Sequence, residues 1–153
     1  NTIMVLDTNF NKGSEMKILR KDSDYAIRTL LTIAINKDKK FMSSSEISKT
    51  ENIPLPYLRR LITKLISAGY LEAKEGVGGG VRLARKPSEI NTMQIMELFQ
   101  GNLEISECLF RKKFCTNRAT CPMRKRILKI EEKLVKEFES ITLKNLISDI
   151  NKK

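Results

Sequence analysis

The 153-residue chain contains no histidine and no tryptophan, and aromatic residues make up only 6% of it. Without histidine there is no His-activated nucleophile, no imidazole acid–base chemistry and no His-rich metal site. The cysteines number three, and an odd count excludes a fully paired disulfide scaffold. The longest apolar run near the start, Ile3 to Leu6, falls short of the roughly 7–15 residues of a secretory signal core. Nothing approaches the ~18 consecutive apolar residues of a membrane span, so the expected compartment is the cytoplasm, with no membrane partner. Acid is the scarcer charge: 18 Asp plus Glu stand against 29 Lys plus Arg, a formal net charge of +11. At 41% hydrophobic residues the chain can form one modest core.

Residues 1–15 show no periodicity, and Met16 opens the patterned part of the chain. Residues 1–15 are therefore expected to be a short leader or an expression remnant. Tyr25, Ala26, Thr29, Leu30, Ile33 and Ala34 then recur on one helical face, with Ser23 or Asp22 as the expected cap. A short second helix is expected from Ser44 to Thr50, capped by Ser43 or Ser44, with Ile47 as its buried point. Pro56 suits the first position of a third helix that runs to about Ala68, with Gly69 ending it. Leu58, Leu61, Ile62 and Leu65 line its core face; Tyr57, Arg59, Arg60, Thr63 and Lys64 lie opposite. Alternation at Leu71/Ala73 and Val81/Leu83 around Gly76–Gly80 predicts a hairpin. Beyond it come a helix over Thr92–Gln100 with Thr92 as cap, a less periodic stretch, a long helix from Cys121-Pro122 to about Ser140, and a last helix capped by Thr142.

Two short helices joined by a tight break and followed by a strand pair are the order of a winged helix-turn-helix. Charge placement supports a nucleic-acid role. Residues 16–88 carry 15 basic and 7 acidic side chains, a net of +8, against 13 and 9, a net of +4, in residues 89–153. The expected organisation is a DNA-binding head over 16–88 and a cysteine segment with dimerisation helices over 89–153. A twelve-residue helix is ~18 Å long and fits a major groove about 12 Å wide. Arg59 and Arg60 sit where a recognition helix meets base edges, and Lys64, one turn later, suits a phosphate. Ser44, Pro56, Tyr57 and Thr63 flank them, while Lys74, Gly78 and Gly79 are the expected wing contacts. For Lys37, Lys39 and Lys40 a solvated surface is the simpler reading, and Tyr57 serves equally well as a half-buried packing residue.

Cys108, Cys115 and Cys121 fall within one short segment. Soft thiolates suit an iron–sulfur cluster or zinc, but the gaps are wider than a C-x-x-C knuckle. Buried core cysteines and a metal-free redox switch remain alternatives. An enzyme is disfavoured, since without histidine no acidic pair stands in a cleft-forming motif. With few aromatics and none clustered, an RNA-stacking platform is disfavoured too.

The segments Tyr25-Ala26-Ile27-Arg28, Ser45-Glu46-Ile47-Ser48, Ile53-Pro54-x-x-Tyr57-Leu58, Ala68-Gly69-Tyr70-Leu71 and Gly78-Gly79-Gly80-x-Arg82-Leu83-Ala84 resemble the Rrf-two superfamily of bacterial winged-helix repressors. Cys121-Pro122-Met123-Arg124 and Ile141-Thr142-Leu143 extend the likeness, which covers the chain from Met16 on. It implies a mainly α fold with a small β-hairpin wing and a homodimer held by the long C-terminal helix on a double-stranded operator. It also implies a two-iron or four-iron cluster on the three cysteines, sensing redox state, iron–sulfur status or nitric oxide. In one branch a histidine three residues after the third cysteine completes the site; here that position is Arg124. A nitric-oxide-sensing branch uses a carboxylate that matches Asp24, a residue the helix dipole favours in any case. A cluster-free branch answers to a sulfur metabolite or partner enzyme. The wing departs from the family pattern, with Val77 for proline, Val81 for tyrosine and Glu75 for a basic residue.

Overall fold

The computed structural model describes residues 17–36, 40–105 and 119–152. Among these residues six α-helices and one hairpin run in the order α1 (Lys21–Ile35), α2 (Ser44–Glu51), α3 (Leu55–Ser67), β1 (Leu71–Lys74), β2 (Gly80–Leu83), α4 (Thr92–Gln100), α5 (Pro122–Ser140) and α6 (Leu143–Ile150). A single turn of 3-10 helix, Pro87–Glu89, which the periodicity did not suggest, joins β2 to α4. This is a mainly helical winged helix, and no helix among the described residues is long and apolar enough to cross a membrane.

Helix α1 packs against α2, α3, α4, α6 and β2. Ala26 and Leu30 at its centre are wholly buried and join Ile47, Leu58, Leu65, Ile95 and Leu143 in one cluster. Residues on both sides of position 88 therefore share a core. Burying a side chain the size of leucine stabilises a fold by about 1.5–3 kcal/mol, so this contiguous cluster holds the helices in register.

Three caps differ from the expectation. Neither Asp22 nor Ser23 caps α1; Arg20 does, without a side-chain bond, and Ser23 is buried, its Oγ donating to Gln100 Oε1 at 2.8 Å. Asn91 rather than Thr92 caps α4, and the Thr92 hydroxyl instead donates to the Phe138 carbonyl at 2.6 Å. Pro56 takes the second position of α3, because Pro54 is the N-cap residue and Leu55 begins the helix. The Ser43 and Thr142 caps stand as expected, each in a reciprocal capping box.

The hairpin pairs Leu71 with Leu83 and Ala73 with Val81. Its inner face is only half covered: Leu71 and Val81 are buried, but Ala73 is exposed. Met42 extends the pairing, donating to the Val81 carbonyl at 3.0 Å and accepting from its amide at 2.8 Å. Gly80 makes that approach possible, since a Cβ there would lie 2.2 Å from the Met42 oxygen. At the other end Arg85 donates to the Ala68 and Gly69 carbonyls at 3.0 and 2.9 Å, closing the end of α3.

Gly80→Ala should therefore cost more than about 2 kcal/mol, combining steric overlap with a positive φ. Gly76→Ala, with positive φ but open space, should cost about 1–2 kcal/mol. Urea unfolding of the two variants checks the order; equal losses would contradict the Met42 contact.

Candidate nucleic-acid interface

The α2–α3 pair is held in place from α1. Arg28 donates through Nε to Glu51 Oε2 and through Nη2 to the Glu51 carbonyl, both at 2.8 Å. Thr32 donates to the other Glu51 carboxylate oxygen. Between the helices, Asn52 adopts a left-handed φ of 52° and Ser48 Oγ donates to the Ile53 carbonyl at 2.7 Å, fixing the turn. With Leu58, Leu61, Ile62 and Leu65 buried, the opposite face of α3 stands free.

On that face Pro56, Arg59, Arg60, Thr63 and Lys64 are all exposed, and Tyr57 is half-buried at its edge. The first turn of α3 carries no acidic residue, so its positive dipole end is left uncompensated. No carboxylate among the described residues pairs with Arg59, Arg60 or Lys64. Arg60 lies over the Tyr57 ring at 5.2 Å, and Lys64 over Phe99 of α4 at 4.9 Å. The two cations, both rings, Leu61 and Asp22 border an open groove of about 210 Å³. Ser67, which the sequence reading missed, sits one turn beyond Thr63 on the same face; its hydroxyl donates to the Thr63 carbonyl as Thr63 donates to Arg59. Its signal was the helical spacing from Arg60 and Thr63.

The wing residues are placed unevenly. Lys74 is exposed at the end of β1, and Val77 stands fully exposed at the hairpin tip. Gly78 is exposed with φ of 71°. Gly79 is dictated by the turn itself, since a Cβ would meet the Lys74 carbonyl at 2.3 Å. Ser44 is half-buried in the first turn of α2. Arg82 is paired with Glu72 across the strands and covers the Phe41 ring.

Of the expected metal ligands, Cys108 and Cys115 lie outside the described residues. Cys121 is half-buried, is not in a disulfide and precedes α5 without spending its side chain on a cap bond. Asp24 lies in the first turn of α1, 3.8 Å from Arg28 and partly exposed. Among the described residues no three cysteine or carboxylate side chains gather to hold a metal. Arg124 occupies the position expected to lack a ligand, and its Nε is buried without a hydrogen-bond partner among the described residues.

A family model described as Rrf2, iron-dependent transcriptional regulator, matches residues 19–149. The chain is 28% identical over 128 residues to the HTH-type transcriptional regulator NsrR of Halalkalibacterium halodurans, covering 83% of this chain and 88% of that protein. Among solved structures, the Bacillus subtilis global cysteine regulator CymR superposes with a TM-score of 0.74 at 22% identity, covering 88% of this chain and 98% of CymR. The IscR structure from T. potens superposes with a TM-score of 0.70 at 22% identity, covering 90% and 89%.

The two flanks of α3 make separable predictions. Arg60→Ala should relax base preference at one position by about 1–3 kcal/mol. Lys64→Ala should weaken binding to all duplexes alike and lower the salt slope by about one. Titrations of duplexes at several salt concentrations distinguish them, and a sequence-independent loss from Arg60→Ala would make it a phosphate contact.

Proposed function

Because the chain belongs to the Rrf2 family of transcriptional regulators, we propose that it is a homodimeric repressor that lays α3 in the major groove of operator DNA and senses its signal through an iron–sulfur cluster. The observation that carries the DNA reading is the exposed face of α3, with Arg59, Arg60, Thr63 and Lys64 and no acidic residue in the helix itself. Lys74 lies on the neighbouring wing, with Glu75 beside it.

The homodimer rests on α5. Met123 and Ile130 are 65% and 52% exposed, and with Ile127 and Leu134 they recur at spacings of four and three, a coiled-coil seam. Only Glu131 of this helix is buried. Arg124, Lys125, Arg126 and Lys129 crowd its N-terminal half, whereas Glu137 and Glu139 stand near its end. That order opposes the helix dipole within one chain. Antiparallel packing on a second copy sets each cationic end against an acidic end and covers the apolar seam. Ile130→Glu should convert the dimer to a monomer in analytical ultracentrifugation and lower operator affinity; an unchanged dimer would place the interface elsewhere.

By its chemistry the donor set suits the cluster: three thiols, with the Asp24 carboxylate as the group that would complete it from a second copy. When bound, such a cluster supplies a centre sensitive to oxidation and to nitric oxide. Cys121 ties one ligand directly to the start of α5, and Glu131 of that helix accepts from the Ile105 amide at 3.0 Å, tying down the chain that leaves α4. At the end of α4, Gln100 accepts from Ser23 and from the Arg20 amide while Phe99 meets Lys64. The cysteine segment thus runs from α4, which packs on α1 and meets Lys64 of α3, to α5, which packs on α4. Purified without oxygen, the protein should be brown with visible absorbance and bound iron, and Cys121→Ala should be colourless. A colourless, iron-free protein that binds its operator with unchanged affinity would overturn the cluster and leave a regulator answering to a sulfur metabolite, a partner enzyme or thiol oxidation.

A further inference from the structure

Arg60 is the cation nearest the middle of the exposed α3 face, and its only ordering contact among the described residues is aromatic. Its guanidinium carbon lies 5.2 Å from the centre of the Tyr57 ring. Tyr57 is half-buried against the core, and its ring meets Tyr25 of α1 edge to face, at 5.7 Å between centroids and 87° between planes. Tyr25 is in turn covered by two cations, Lys21 at 5.3 Å and Arg28 at 5.6 Å. Arg28 is the side chain locked to Glu51. A chain of ring contacts therefore runs from the Arg28–Glu51 anchor through two tyrosines to a reading side chain.

We infer that Tyr25 and Tyr57 are positioning residues that hold Arg60 ready to read a guanine edge. This rests on the DNA-binding reading above. A free arginine loses about 2 kcal/mol of rotamer entropy when fixed, and fixing it before DNA arrives lowers that loss on binding. A ring contact spends none of the guanidinium donors on a hydrogen bond, which leaves them for the bidentate pattern of guanine O6 and N7. Tyr57 alone does not settle the arrangement, because a lone ring can turn about its side-chain bonds. The perpendicular contact with Tyr25 fixes which way the Tyr57 face points. Tyr25 lies on α1, outside the two-helix reading unit, so base choice depends on a residue that never touches the DNA.

The test uses the full chain and a randomised duplex library as probe, selected in parallel with the unmodified protein and with Tyr25→Leu, Tyr25→Phe, Arg60→Ala and Tyr25→Leu/Arg60→Ala. The position whose guanine preference is lost in Arg60→Ala marks the base concerned. Tyr25→Leu should lower that preference by about 2- to 10-fold and leave the other positions and the salt slope on unrelated duplex unchanged. Tyr25→Phe, which keeps the ring edge and face, should retain it. The double variant should match Arg60→Ala alone, since positioning has no effect once the positioned group is gone. Full preference in a folded Tyr25→Leu, uniform weakening on every duplex, or additive losses in the double variant would each overturn the inference. Should Tyr25→Leu fail to fold, Tyr57→Leu against Tyr57→Phe gives the same comparison. If the unmodified protein enriches no sequence at all, the DNA reading itself fails, which the variants do not mimic.

Discussion

Helix α1 is the surface on which the reading face is aimed, and it does this with polar side chains set inside an apolar contact. Ala26 and Leu30 are completely buried at its centre, yet Ser23, Thr29 and Thr32 are buried beside them. A buried hydroxyl without a partner costs about 1–3 kcal/mol, so each of these three must be satisfied. Each is: Ser23 by Gln100 of α4, Thr29 by the Tyr25 carbonyl one turn back, Thr32 by Glu51 of α2. Two of the three bonds leave the helix. Apolar packing alone would tolerate sliding of α2 or α4 along α1, whereas a directional bond from a buried donor does not. The Glu51 carboxylate, shared by Arg28 and Thr32, is the joint that fixes where α2, and through it α3, can lie.

The same economy governs charge. Both α3 and α5 begin without an acidic residue in their first turns, and α5 places cations there. On an isolated surface helix this is unfavourable by about 0.3–1 kcal/mol for each misplaced charge. Each of these two helices lies along a surface proposed above to meet an outside partner: an anionic polymer along α3, and the acidic end of a second copy along α5. Asp22 and Asp24 stand in the first turn of α1 and Glu46 in that of α2, while α4 and α6 have no early acid and begin instead in capping boxes. The exposed Glu132–Lys136 pair, one turn apart on α5, lowers the Glu132 carboxyl below its ordinary range through the Lys136 hydrogen bond and charge. Full exposure keeps the contribution of that pair to stability small.

How much of this was legible in the sequence follows from the range of each interaction. Helices announced by apolar spacing, such as Leu58-Leu61-Ile62-Leu65, appear where the pattern puts them, and so does the exposed face opposite. Local caps were legible when the capping residue bonds three residues on, as Ser43 does to Glu46. They failed where a distant partner claimed the side chain. Thr92 looks like a cap but reaches Phe138, and Ser23 looks like a cap but reaches Gln100. In the interface, Arg60 and Thr63 follow from helical phase, whereas the part played by Tyr25 does not: its edge contact with Tyr57 exists only once α1 and α3 have packed.

The wing shows the same division, and it bears on where specificity lies. Its glycines invite the reading that the backbone approaches DNA. Yet Gly79 is required by its own turn and Gly80 by the Met42 backbone. Val81 is buried and bridged to Met42, so it belongs to the head and not to the wing tip. Arg82 is held by Glu72 and by the Phe41 ring. What remains to face a duplex is Lys74, with Glu75 next to it, and the bare side chain of Val77. One cation beside one anion adds little net field, and an apolar tip carries no hydrogen-bonding pattern. On the proposed reading, sequence discrimination therefore falls on α3, and on the residues of α1 that hold it.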